Sequence, residues 1–202
     1  KLLSLSRFLF MSQFPERFED EVMAELRGVV DNNGYSALWS ALGSHFFQIE
    51  FPKAETLTAE SKKFIADLMP IHPIYIPLLP ESAQKVIGDV HPNTRPARAM
   101  LEREGFKYKN VVDIFDGGPS VHAKASDIRV IRENQLVTVS EIVPHLENSE
   151  TLIVSNCDLD FRCCLGPIEV DNGQAKIDQV TALRLNLKTG DSARFVGAKP
   201  KS

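Results

Sequence analysis

Among the side chains able to move a proton near neutral pH, His91 stands out, set in the run Ile87-Gly88-Asp89-Val90-His91-Pro92. An imidazole titrates close to neutrality and can both give and take a proton. The residue types around it leave two readings open. His91 either caps the turn at Pro92 or bonds a backbone carbonyl, or else it serves proton transfer in a reaction. His72 also precedes a proline and reads as a structural or substrate-lining residue. His45 is expected to pack beside Phe46, while His122 and His145 lie in polar loop contexts that suggest no role. Cys163 and Cys164 could suggest a nucleophile. Their apolar, strand-like surroundings point instead to packing, where a free thiol behaves as a small hydrophobe. Trp39, Phe46 and Phe47 read as core.

The elements that must position His91 follow it directly. Pro96 suits a first helical turn, where its missing N–H would have no partner anyway. Ala97, Met100 and Leu101 then fall at i, i+3 and i+4 as an apolar stripe, with Arg98, Glu102 and Arg103 toward water. Gly105 is expected to end this helix, which spans roughly residues 96 to 104. A strand from Phe106 to Phe115 follows, closed by Gly117-Gly118-Pro119. Upstream, residues 22 to 30 read as a buried strand, Asp31-Asn32-Asn33-Gly34 as a turn, and Ser36 onward as a helix stopped at Gly43. A strand from Phe46 to Phe51 is expected next. That helix–Gly–strand order matches the later one, and it is either a structural repeat or simply a common way to leave a helix. Thr56 to Leu68 reads as a helix that Thr58 can cap, with Phe64, Ile65 and Leu68 on its apolar face. The prolines of Met69-Pro-Ile-His-Pro-Ile-Tyr-Ile-Pro exclude a central strand. Glu81 to Ile87 forms a helix leading to His91.

After residue 120 the texture becomes β-rich. A short helix over 126–133 precedes strands at 136–142, 152–155, 161–165 and 193–196, with Asp171-Asn172-Gly173 as a hairpin turn. Residues 177 to 187 read as a helix ending at Thr189-Gly190, and the tail from Ala198 as loose. The expected organisation is therefore a mixed α/β domain over residues 1–120 and a small β-rich domain over 121–202.

Composition narrows the function. The net charge is −4 and the isoelectric point near 5.8, which disfavours nucleic acid as the main partner, since phosphate binding needs a basic face. No apolar run reaches the ~18–20 residues a membrane span needs. Three cysteines without CxxC spacing make neither a disulfide framework nor a structural metal site, so a reducing cytoplasm is expected. The opening KLLSLSRFLFMSQF already has helical periodicity without a start signal, so position 1 is expected to lie inside a larger polypeptide.

Two resemblances converge on these motifs. ARAMLEREGFKY is similar to a late helix–strand unit of the GNAT superfamily of acyl-CoA N-acyltransferases. In order and spacing, RFLFM, AELRG, GYSALWSALGSHFF, FIADLMPIHPIY, VIGDVHPNTRPARAMLEREGFKYKN and VDIFDGGP resemble the bacterial arginine N-succinyltransferase family over most of residues 1–120. That resemblance implies a GNAT-like domain, incomplete at its N-terminus, that transfers succinyl from succinyl-CoA to the α-amine of L-arginine. His91 would be the proton donor, and direct transfer would need no permanently bound cofactor and no metal. A guanidinium substrate calls for carboxylates in fork geometry, with Asp89, Asp113, Asp116 and Glu25 as candidates. The succinyl carboxylate calls for a cation, from Arg27, Arg95 or Arg98. The superfamily's CoA pyrophosphate loop is expected upstream of Lys1, on another chain or fragment, with a homo-oligomer also possible. The alternatives are a subunit of an enzyme that also takes ornithine, or a non-catalytic subunit binding amino acid or CoA.

Overall fold

The computed structural model describes residues 1–60, 63, 67, 71–146 and 150–199 of the 202-residue chain. Two compact units emerge, each built from non-contiguous stretches. One comprises Lys1–Val22, Arg103–Gly105 and Lys124–Ser202, the other Met23–Glu102 and Phe106–Ala123. The fold is mixed α/β, with a three-stranded sheet and a closed five-stranded barrel.

The chain starts with α1 (Leu2–Gln13), which belongs to the first unit and buries Leu5, Phe8, Leu9 and Met11 at helical spacing. The second unit then carries most of β1 (Glu21–Glu25), α2 (Ser44–Phe47), α3 (Phe51–Glu60), α4 (Glu81–Val86), α5 (Arg95–Glu104) without its last two residues, β2 (Lys107–Val112) and most of β3 (Pro119–Lys124). The sheet order is β1-β3-β2. β2 and β3 are antiparallel, pairing Tyr108 with Val121 and Val112 with Pro119, with a register shift between Tyr108 and Val111. Asn110, at φ 60°, lies in that shift.

Several expectations fail here for identifiable reasons. The strand expected at residues 22–30 pairs only as β1, and Leu26–Gly28 continue as a loop hydrogen-bonded to two turns. Phe46–Phe51 is not a strand. A π-helical turn at Trp39–Gly43 runs straight into α2, Gln48 turns the chain at φ 52°, and α3 starts at Phe51. Gly43 does not stop the helix; its φ of −60° is helical. It is a glycine because a Cβ there would collide with the Trp39 ring. The suggested helix–Gly–strand repeat therefore has only its second copy. The helix expected from Thr56 begins earlier, at Phe51, and its expected apolar positions Phe64, Ile65 and Leu68 lie outside the described residues. The strand expected to reach Phe115 ends at Val112, because Asp113 starts a turn.

The later helix follows expectation more closely. Gly105 leaves α5 at φ 108°, Leu101 is buried, and the Phe106 N–H returns to Leu101 O at 3.0 Å. Ala97, placed on the buried stripe, is instead exposed.

In the first unit, α6 (Arg129–Glu133) precedes the barrel strands β4 (Gln135–Val143), β5 (Thr151–Asn156), β6 (Cys163–Asp171) and β7 (Gln174–Asp178). Helix α7 (Gln179–Leu185) and β8 (Ser192–Val196) complete it. The closed order is β4-β7-β6-β5-β8. β4 and β7 run parallel, and the other neighbours antiparallel. Asn172 and Gly173, both at positive φ, join β6 to β7 as the predicted hairpin. Residues 177–187 are not one helix. Ile177 is fully buried in the barrel core, and the Asp178 carboxylate accepts the Thr181 N–H at 2.7 Å, so the helix starts after Asp178. Helix α1 packs against β5, β6 and α6.

Candidate functional site

In the second unit, three backbone segments meet through hydrogen bonds. The Leu26–Gly28 loop runs between the turn at 113–119 and the loop at 87–91. On one side the Leu26 N–H donates to Pro119 O at 3.1 Å and the Gly28 N–H donates to Asp116 Oδ2 at 2.7 Å. On the other, the His91 N–H donates to Arg27 O at 2.9 Å. The Gly88 N–H closes the triangle on Gly117 O at 2.8 Å. Two glycines allow the close approach: a Cβ on Gly118 would strike Leu26 O, and one on Gly28 would strike Asp116 O.

His91 sits at the entrance of a 3-10 turn, Pro92–Thr94, and is half-buried. Its Nδ1 accepts the Asn93 N–H at 3.2 Å. A ring nitrogen that accepts is unprotonated, so the neutral ring carries its proton on Nε2. The capping role and a proton-bearing nitrogen thus coexist on one side chain.

The other sequence candidates separate clearly. Asp116 is held at both oxygens, Oδ1 by the Gly118 N–H at 2.8 Å and Oδ2 by Gly28. Asp113 accepts the Phe115 N–H at 2.6 Å. Burial pushes its carboxyl up from the usual range, with Asp116 and Glu25 adding repulsion against the Phe115 hydrogen bond. Asp89 accepts the adjacent Val90 N–H. All three carboxylates thus hold backbone amides in the segments around His91. Arg98 pairs with Glu102 at 2.9 Å and reaches Gly88 O at 3.4 Å. Arg27 and Arg95 are exposed. His72 is exposed, and no hydrogen bond among the described residues joins it to the His91 loop. His45 is exposed as well, whereas Trp39 and Phe47 are buried in the core of this unit.

Sequence reading missed a cavity of about 470 Å³ lined by residues between Asn33 and Pro52, including Tyr35, Trp39, Gln48 and Glu50. Its back wall is Trp39, stacked between Phe47 (5.1 Å, 22°) and Phe115 (5.0 Å, 18°). Trp39 Nε1 donates to Ile49 O at 3.0 Å, and Ser36 Oγ donates to Phe115 O at 2.7 Å. These bonds tie the cavity wall to the same 113–119 turn that supports the His91 loop. The only hint in the sequence was Trp39 inside a small-residue helix, which is equally a core signature.

The thiols fit no nucleophilic role. Burial pushes Cys163 up to about 12 and raises Cys157 and Cys164 as well. The thiolate is the nucleophile, so these groups stay protonated near neutral pH. Among the described residues no cluster of His, Cys, Asp and Glu is arranged to hold a metal ion, and no helix is long and apolar enough to cross a membrane.

Comparison with known proteins adds a family. The sequence pattern described as "Arginine N-succinyltransferase beta subunit" matches residues 1–130, and its C-terminal domain matches residues 135–197. The arginine N-succinyltransferase of Salmonella typhi is 43% identical over 197 residues, covering 96% of this chain and 57% of that protein. That of Enterobacter sp. (strain 638) is 45% identical over 202 residues, covering 99% and 59%. The structure of arginine/ornithine succinyltransferase subunit AI from Pseudomonas aeruginosa superposes with a TM-score of 0.84 at 36% identity, covering 98% of this chain and 57% of that one. The chain thus spans 57–59% of the length of these relatives.

Proposed function

The chain belongs to the arginine N-succinyltransferase beta-subunit family, and on that premise we propose that it carries the proton-donor part of an enzyme moving succinyl from succinyl-CoA to the α-amine of L-arginine. The family match along nearly the whole chain is the observation that carries this reading. In the reaction the neutral amine attacks the thioester carbonyl, the C–N bond forms, and the C–S bond breaks. The amine's proton is lost and the departing thiolate gains one. His91, with Nδ1 already accepting from Asn93 and Nε2 carrying the proton, is assigned that donation. Direct transfer without an acyl-enzyme follows from the GNAT-like reading, and the raised thiols offer no competing cysteine nucleophile.

The GNAT-like description and a cytoplasmic location belong to the same proposal. The three cysteines are unpaired, which fits a reducing compartment. The CoA pyrophosphate site is assigned to sequence outside these 202 residues, on a further segment or partner chain, in keeping with the 57–59% coverage of the relatives. A homo-oligomer is compatible with the same assembly. Ornithine as a second acceptor is favoured by the likeness to the Pseudomonas arginine/ornithine succinyltransferase subunit.

The test is release of CoA thiol from succinyl-CoA by the intact protein that carries this chain, with arginine, ornithine and no amine in parallel. Arginine-dependent release is expected. Release no greater than the no-amine background would overturn the proposal.

A further inference from the structure

We propose that the Trp39 cavity is the subsite for the cationic head of the amino-acid acceptor, with Glu50 as the carboxylate that meets it. This rests on the transferase reading above and deepens it. The volume, about 470 Å³, lies in the range of small-molecule sites. Among the described residues its lining holds one acid, Glu50, and no lysine or arginine, so it favours a cation and disfavours the succinyl carboxylate.

The walls suit one kind of cation best. A guanidinium is flat, weakly hydrated, stacks on aromatic faces and forks onto carboxylates. The cavity offers both partners: the exposed Tyr35 ring supplies an aromatic face and Glu50 supplies the acid, while Trp39, its faces covered by Phe47 and Phe115, stiffens the wall. Among the described residues no hydrogen bond or ion pair occupies the Glu50 carboxylate, the Gln48 amide or the Ser40 hydroxyl, whereas Asp113 and Asp116 are already engaged by backbone amides. Two features hold the shape. Asp31 Oδ1 accepts the N–H groups of Asn33 and Tyr35 at 2.8 Å each, fixing the loop that presents Tyr35. Gln48, at φ 52° and ψ 30°, turns Gln48–Glu50 back along the Trp39 helix. That left-handed conformation in a non-glycine residue is the kind of local strain that concentrates at ligand sites.

Trp39 is the chain's only tryptophan, so its emission reports directly on the cavity. The experiment titrates this chain with L-arginine, with agmatine, which keeps the guanidinium but lacks the carboxylate, and with L-citrulline, its neutral isostere. The same titrations are repeated on Glu50→Gln, and KM and kcat for arginine are measured in the intact protein. The expected result is saturable change with arginine and agmatine and none with citrulline. In Glu50→Gln, arginine affinity should fall and KM rise ~10–100-fold, the size of one lost charge-assisted contact, with kcat little changed. Equal response to citrulline, or unchanged KM and affinity in Glu50→Gln while arginine-dependent thiol release persists, would overturn the cavity assignment and leave the transferase reading standing. Arginine-dependent emission without thiol release would do the reverse. Neither signal would overturn both.

Discussion

In the barrel unit the buried pair Glu104 and Arg129 answer each other, while in the other unit the carboxylates answer the backbone. Glu104 and Arg129, each 3% exposed, pair at 2.9 Å, with Glu104 also accepting the Val130 N–H and Arg129 also donating to Gly197 O. Around His91, by contrast, Asp89, Asp113 and Asp116 hold loop amides in place. The first arrangement fixes buried structure. The second shapes loops and turns without sealing the unit, which keeps both an open cavity and a histidine whose proton position is set. Charge deep in a fold serves architecture here, and charge on turns serves presentation.

That contrast can be broken at three places. The largest effect is expected from His91→Ala, which should cut arginine-dependent thiol release by ~10²–10⁴-fold while thermal unfolding stays near wild type. A comparable loss of stability would move His91 to the architectural side. Next is Glu104→Ala, which strands a buried guanidinium and should cost about 3–5 kcal/mol of stability. Denaturant unfolding measures it, and KM for arginine, taken below the lowered transition, should not change. The smallest effect concerns pH. Because burial raises the Asp113 carboxyl in the folded state, its contribution to stability is fully present below the ordinary carboxylate range and fades as pH rises through the raised value. Asp113→Asn keeps an oxygen for Phe115 and removes that dependence. Unfolding midpoints from about pH 3 to 7 should therefore show the variant gaining on wild type as pH rises. A constant difference across the range would show that Asp113 does not titrate differently when folded.

What the sequence revealed was local. The Gly105 stop, the Asn172-Gly173 hairpin and the histidine before Pro92 each follow from backbone preferences within a few residues. Misreadings arose where a partner distant in sequence decides the outcome. Gly43 looks like a stop until the ring of Trp39 is seen above it. Ile177 looks helical until it pairs across the barrel with Ile142 and Ile168. Glu104 carries no local sign of burial, which depends on Arg129, 25 positions later. The cavity belongs to the same class: Tyr35, Gln48 and Glu50 have no shared motif, and only the turn at Gln48 brings them to one wall.

The interleaving of the two units has a consequence for biogenesis. Within these 202 residues α1 is made before the second unit, yet its partners β5, β6 and α6 emerge only after more than a hundred further residues. Residues 23–102 and 106–123 are complete just before the Arg129 helix and well before β5 and β6, and domains tend to fold as they emerge during synthesis. The order of folding is thus not the order of the chain. The second unit can settle early, while the apolar face of α1 waits in solution, a natural client for a chaperone until the parallel strands β4 and β7 close the barrel.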